Sequence, residues 1–273
     1  MLGARVATAI VLLAILLPTI FVFPPLAWGA VTLAFLAVAA WEWTRLLPGA
    51  RPARTAAALL LAAGAGAIAW RANHPWPPGL LLALNAGLAL FWALDGPRRL
   101  KTHAAHGGGW ALAALLLFGC WLSLYELRLL GTVPLLSSMA IVWVADIAAY
   151  FAGRAFGRHK LAPSISPGKT WEGAAGGAAA VVLAGLVLAG WPAASESLPA
   201  LLVTRASAPL AAAALLVIVA LSIVGDLHES VLKRLAGVKD SGKLLPGHGG
   251  VLDRIDALIP TMPVALGLYQ LLR

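Results

Sequence analysis

Again and again along this chain, an apolar run long enough to cross a bilayer gives way to a short polar break. At 1.5 Å of rise per residue, about 18 residues span a hydrocarbon core of ~30 Å. Inside that core each backbone N–H and C=O has to be satisfied within its own segment, which leaves helices as the only open-ended solution. Composition agrees: 61% of the residues are hydrophobic and 11% charged, where a soluble domain carries roughly 25% charged residues. The fold expected is all-α, a polytopic integral membrane protein of about nine transmembrane helices. The spans fall near Val6–Phe23, Leu26–Trp43, Thr55–Ala72, Gly79–Leu94, Gly107–Leu122, Val133–Phe151, Gly173–Trp191, Pro209–Val224 and Ile255–Leu272. The first run follows Arg5 in the order of a signal peptide, but no small-residue cleavage site precedes Pro24-Pro25, so it reads as a retained span. The single cysteine, Cys120, lies in an apolar run and offers no intrachain disulfide.

Basic residues set the expected orientation. With the N-terminus inside, sixteen of the 20 lysines and arginines fall on the cytoplasmic side: Arg5, Arg45, Arg51, Arg54, Arg98, Arg99, Lys101, Arg154, Arg158, Lys160, Lys169, Lys233, Arg234, Lys239, Lys243 and Arg254. Arg71, Arg128, Arg205 and Arg273 are left for the other side. That asymmetry is the positive-inside pattern, and it accounts for the net charge of +9 without a nucleic-acid partner. An odd number of spans puts the termini on opposite faces. The expected address is the inner membrane of a bacterium, with the polar loops in the cytoplasm.

The chain reads as one membrane domain with an uneven distribution of chemistry. Residues 1–132 read as scaffold and lipid-facing helices, 133–273 as a catalytic half with loops at 153–173 and 226–256. Trp41-Glu42-Trp43 reads as interfacial belt, His103 and His106 as a solvated loop, and Pro75-Trp76-Pro77-Pro78 as a turn. In the first polar loop, Gly168-Lys169-Thr170 suggests a P-loop, but that motif needs a glycine where Pro163 stands and a strand before it. What is left is Ser164, Ser166, Lys169 and Thr170 around a turn that opens a helix, an arrangement suited to phosphate. A plain positive-inside loop accounts for the same residues. Asp146 lies inside a span, where a carboxylate costs roughly 2.5–3.5 kcal/mol on insertion scales. An ion pair with Arg154 and a part in a polar site both stand as explanations.

The second loop is denser. Ten charged residues fall between Gly225 and Asp256: Asp226, Glu229, Lys233, Arg234, Lys239, Asp240, Lys243, Asp253, Arg254 and Asp256. If the eighth span continues as helix to Ala236, then Asp226, Glu229, Ser230 and Lys233 share an arc of about 100°. Gly237 would end that helix. Gly247-His248-Gly249-Gly250 exposes backbone for close approach by a polyphosphate. Asp253 and Asp256 then follow at i, i+3. Converging carboxylates repel unless a cation stands between them, and an all-oxygen set suits Mg²⁺; a second cation is left open.

The order Ser230-x-x-Lys233-Arg234-x(4)-Lys239-Asp240-x-Gly242-x-x-Leu245-Pro246-Gly247-His248-Gly249-Gly250-x-x-Asp253-Arg254-x-Asp256 resembles the signature of phosphatidate cytidylyltransferases, the CDP-diacylglycerol synthases. Residues Trp143 to Gly173 are similar to that family's upstream block. The resemblance implies cytidylyl transfer from CTP to phosphatidic acid in the bilayer, giving CDP-diacylglycerol and pyrophosphate, with a homodimer left open. It implies a site of Asp226, Asp253 and Asp256 on Mg²⁺. Lys169, Lys233, Arg234 and Lys239 would clamp phosphates. Ser166, Thr170, Ser230, Lys243, His248, Gly249, Gly250 and Arg254 would line the substrates, with Asp146 and Glu229 in support. Two rivals are weighed against it. A CTP-dependent lipid-alcohol kinase would release CDP. A transporter would place ionisable residues near the midplane of several spans, whereas here Asp146 is nearly alone.

Overall fold

A computed structural model of the chain describes residues 2–49, 53–77 and 79–273. Arg51 in the charge pattern and Pro78 in the proline-rich turn lie outside the described residues. The helices are α1 (Leu2–Phe21), α2 (Pro25–Arg45), α3 (Ala53–Asn73), α4 (Leu80–Thr102), α5 (Gly109–Leu130), α6 (Thr132–Phe156), α7 (Trp171–Ala189), α8 (Leu198–Arg205), α9 (Ala208–Leu235), α10 (Leu252–Ile255) and α11 (Leu258–Leu272). Among the described residues nine helical segments are long and apolar enough to cross a membrane, α10 and α11 counting together as the last. The protein is an integral membrane protein of polytopic, nearly all-helical build.

Several helices outrun the spans expected from hydropathy. α4 continues beyond Leu94 to Thr102, α5 beyond Leu122 to Leu130, and α9 beyond Val224 to Leu235. The reason is visible in α9. Past Asp226 the helix turns amphipathic and keeps Leu227, His228, Val231 and Leu232 buried on one side, so packing carries it on after the lipid-compatible run ends. It stops in a Schellman turn: Gly237 takes φ +70°, with its N–H on the Arg234 carbonyl (3.1 Å) and the Val238 N–H on that of Lys233 (2.9 Å). The last span breaks at Asp256. Pro260 has no N–H for the carbonyl four residues back, and that carbonyl packs against Gly225 of α9 instead.

The region expected as an irregular loop holds a short antiparallel hairpin, β1 (Lys160–Ala162) with β2 (Ser166–Thr170), in the register Lys160↔Thr170 and Ala162↔Ser166. Its turn is pinned from two sides: Arg234 Nε donates to the Ile165 carbonyl (3.4 Å), and His103 Nε2 lies 3.2 Å from Ser164 Oγ. Thr170 caps α7 by accepting from the Gly173 N–H at 3.1 Å. The hairpin, the ends of α2 and α4, the start of α1 and the segment after α9 gather at one end of the bundle. At the other end, Glu126 of α5 pairs with Arg71 of α3 (3.3 Å) and accepts from Trp76 (2.7 Å), and Tyr269 donates to the Glu196 carbonyl (2.9 Å). Of the basic residues assigned to the cytoplasm from the sequence, Arg5, Lys169, Lys233, Arg234, Lys239, Lys243 and Arg254 meet at the first end, and Arg71 and Arg128 of the opposite set lie at the second.

Candidate active site

The site is built on the polar end of α9. Because the helix runs on to Leu235, Asp226, Glu229, Ser230 and Lys233 share one face. Lys233 Nζ lies 2.5 Å from Glu229 Oε2 and 2.6 Å from Asp253 Oδ1, so one ammonium bridges two carboxylates that are almost wholly buried. A turn earlier, Ser230 donates to Asp226 Oδ1 (3.4 Å), and Asp226 Oδ2 meets Lys169 of β2 at 2.7 Å. The hairpin is thereby tied to α9 through charge as well as through Arg234.

Asp253 is more than a partner for Lys233. Its Oδ2 accepts from the Ser241 N–H (3.0 Å), the Ser241 hydroxyl (3.0 Å) and the Gly250 N–H (2.8 Å). Four donors occupy this one carboxylate, which fastens both ends of the segment from Ser241 to Gly250. Between them the chain folds tightly. The Leu245 N–H bonds the Gly249 carbonyl (3.0 Å), the His248 N–H bonds that of Leu245 (2.8 Å), and Gly247 and Gly249 take φ +76° and +84°. Residues with side chains adopt that region only at a cost, so the glycines here serve the turn itself.

Outside this turn lies a cavity of about 640 Å³. Lys239, Lys243, His248, Gly249 and Arg254 line it, together with Arg5 from the start of α1. Arg5 Nε donates to the Gly247 carbonyl (3.1 Å) and Thr8 Oγ1 to that of Pro246 (2.9 Å), so the first helix is docked on the turn. Asp240 is the one carboxylate in the lining. A concave, cationic, glycine-edged surface of this size suits a polyphosphate.

The residues singled out from the sequence therefore divide. Lys239, Lys243, His248, Gly249 and Arg254 share the cavity; Asp226, Lys169 and Ser230 form one cluster; Glu229, Lys233 and Asp253 form another. Gly250 gives its N–H to Asp253, Thr170 serves as a helix cap, and Ser166 begins β2. Arg154 donates to Tyr150 (3.2 Å) and forms no ion pair with Asp146, which lies within electrostatic reach of Lys169 and Asp226. Two residues at this end escaped the sequence reading. Arg5 reads from the sequence as a topological charge alone. Glu42 stands between two belt tryptophans, and its one signal in the sequence is that of a carboxylate within an apolar span.

Among the described residues no three of His, Cys, Asp and Glu form a ready-made metal cage. The oxygens not taken up by other bonds do fit a hard cation. Glu229 Oε1 is buried and receives no hydrogen bond among the described residues. Asp256 uses Oδ1 on the Ala257 N–H (2.7 Å), and its carboxylate stands close enough to those of Asp226 and Glu229 to repel them. Mg²⁺ is usually held by one or two carboxylates with waters and substrate phosphates completing its shell, so an incomplete protein cage matches it. Glu229 Oε1 and Asp256 Oδ2 are the oxygens left free to serve; Asp226 would have to exchange its contact with Lys169 for the ion, and Asp253 carries four donors in the turn.

The bundle gathers lysines, carboxylates and a cationic cavity at one end, an arrangement suited to phosphorylated groups. A family model described as "Cytidylyltransferase family" matches residues 3–272, and the chain belongs to that family. It is 40% identical over 281 residues to a phosphatidate cytidylyltransferase of Pseudomonas aeruginosa, covering 97% of this chain and 95% of that one. A phosphatidate cytidylyltransferase of Haemophilus influenzae is 35% identical, with 96% of each chain covered. One of Brucella suis is 44% identical over 190 residues, 66% of each chain.

Proposed function

We propose that this protein transfers a cytidylyl group from CTP to phosphatidic acid, forming CDP-diacylglycerol and pyrophosphate at the cytoplasmic surface of a bacterial inner membrane. The observation that carries this reading is the cationic cavity beside the Lys233 network, in a chain whose full-length relatives are named for that reaction. An oxygen of the lipid phosphate attacks the α-phosphorus of CTP; the bond from that phosphorus to the β-phosphate oxygen breaks, and pyrophosphate leaves. A phosphate monoester is largely ionised at neutral pH, so no dedicated general base is needed. Lys239, Lys243, Arg254 and Arg5 hold the triphosphate in the cavity, and Lys169 and Lys233 face the reacting phosphates from the hairpin and α9. Positioning and charge stabilisation then account for most of the rate. Mg²⁺, held by Asp226 and Asp256 with Glu229 nearby, would supply charge neutralisation for the attacking and leaving oxygens.

The test is product analysis on the purified protein with CTP, phosphatidic acid and Mg²⁺. Pyrophosphate and CDP-diacylglycerol should appear together, and chelation should abolish both. Asp256→Asn should lose at least about a hundredfold in turnover while inserting normally in the membrane. Release of CDP in place of pyrophosphate would assign the protein to the lipid-alcohol kinases. Wild-type turnover in Asp256→Asn would remove that residue from the site.

A further inference from the structure

Glu42 has surroundings that neither belt aromatics nor a surface charge explain. It lies inside α2 with 1% of its surface exposed, and among the described residues no lysine or arginine pairs with it. Its Oε2 accepts from the Leu252 N–H (2.8 Å), a first-turn donor of α10, and lies 3.3 Å from the Ser241 hydroxyl, whose single proton it shares with Asp253. Oε1 is buried and receives no hydrogen bond among the described residues. Gly242 and Gly250 both press on this carboxylate. A Cβ on Gly250 would stand 2.5 and 2.7 Å from its two oxygens, and one on Gly242 would collide with Oε1. Two glycines of the long polar segment are thus needed for the approach of Glu42.

Ser241 connects this contact to the site. Its hydroxyl lies 3.3 Å from Glu42 Oε2 and 3.0 Å from Asp253 Oδ2, and Asp253 Oδ1 lies 2.6 Å from Lys233 Nζ. A continuous polar chain therefore runs from α2 through Ser241 and Asp253 to the bridging lysine of α9. A buried carboxylate without a cationic partner costs free energy, and among the described residues the Leu252 N–H and the Ser241 hydroxyl are the donors that offset it. We propose that Glu42 is a positioning residue: from the N-terminal half it anchors both ends of the segment from Ser241 to Leu252, and so sets the cationic cavity against Lys233. The kinetic consequence rests on the cytidylyl-transfer reading; the placement of the segment does not.

Glu42→Ala and Glu42→Gln in the full-length protein test this with two readouts. Hydrogen exchange over residues 239–252 should accelerate about tenfold or more in Glu42→Ala while the other helices keep their protection. The KM for CTP should rise about tenfold, with that for phosphatidic acid within about twofold of wild type. Glutamine keeps a carbonyl oxygen for the Leu252 amide and the Ser241 hydroxyl, and should restore both readouts to within about threefold. Unchanged exchange in Glu42→Ala would overturn the proposal. So would faster exchange along the whole chain with both KM values raised alike, the mark of general destabilisation. If the wild type releases no pyrophosphate but the exchange pattern appears, the functional reading falls and the anchoring role stands.

Discussion

Lys233 stands between two carboxylates that would otherwise face each other across a nearly dry gap. It is 14% exposed, Glu229 4% and Asp253 6% at the side chain, so water screens the trio little. Breaking a buried ion pair by removing one partner costs about 3–5 kcal/mol, because the charge left behind has nothing to balance it. Lys233→Met should accordingly lower the melting temperature of the detergent-solubilised protein by several degrees, on top of any loss of turnover. Adding Glu229→Gln to that variant should recover part of the loss, since it removes one of the two stranded charges. A single variant that melts with the wild type would show that the lysine serves substrate alone. Asp253 illustrates the same point from the other side. Its spacing from Asp256 suggests a metal ligand, and the donors around it from Lys233, Ser241 and Gly250 make it a fastening of the turn as well.

Helix contacts in this bundle rest on small residues where the backbones come closest. α6 and α7 form its most extensive pairing. Along it Gly173, Gly176 and Gly177 of α7 face Ala145, Ala149, Ala152 and Gly153 of α6, the small-residue packing by which membrane helices gain van der Waals contact. A Cβ on Gly177 would lie 2.7 Å from the Ala145 carbonyl, whereas one on Gly66 of α3 would meet nothing within 4 Å. Gly177→Val should therefore destabilise the protein by about 1–3 kcal/mol, and Gly66→Val should leave it nearly unchanged. Thermal melts read by size-exclusion chromatography would decide; equal melting of the two variants would refute the close packing. At this scale the sequence is readable where hydropathy decides and silent where packing does. The spans stand out because a helix in lipid needs about 18 apolar residues. The turns of α9 beyond Asp226 have no hydropathy signal, since charge interrupts the run; the shared arc of Asp226, Glu229, Ser230 and Lys233 and the stop at Gly237 suggest them, and the burial of Leu227, Val231 and Leu232 holds them. The hairpin has no alternating pattern to announce it, and is held by Arg234 and His103 from distant parts of the chain. Glu42 and Arg5 were hidden for the same reason. Their partners, Ser241, Leu252 and Gly247, lie some two hundred residues away, and no local spacing points to them.

For the molecule as a whole, the distribution of charge makes a claim about the membrane that the contacts inside the bundle leave free. Arg5, Lys169, Lys233, Lys239, Lys243 and Arg254 gather at one end, while Arg71 and Arg128 sit at the other beside Glu126 and Phe23. Lysine and arginine in short loops are retained on the cytoplasmic side, so the cavity end should face inward, where CTP is. A thiol reporter separates the two ends cleanly because the native Cys120 is buried and 0% exposed. Val238→Cys, just past α9, and Ser195→Cys, between α7 and α8, are both in exposed positions. In intact spheroplasts a membrane-impermeant maleimide should label Ser195→Cys and leave Val238→Cys untouched until the membrane is opened; inverted vesicles should give the reverse. The opposite pattern would put the cavity on the outer face, away from any nucleoside triphosphate, and the cytidylyl-transfer reading would lose its substrate even with every contact in the site intact.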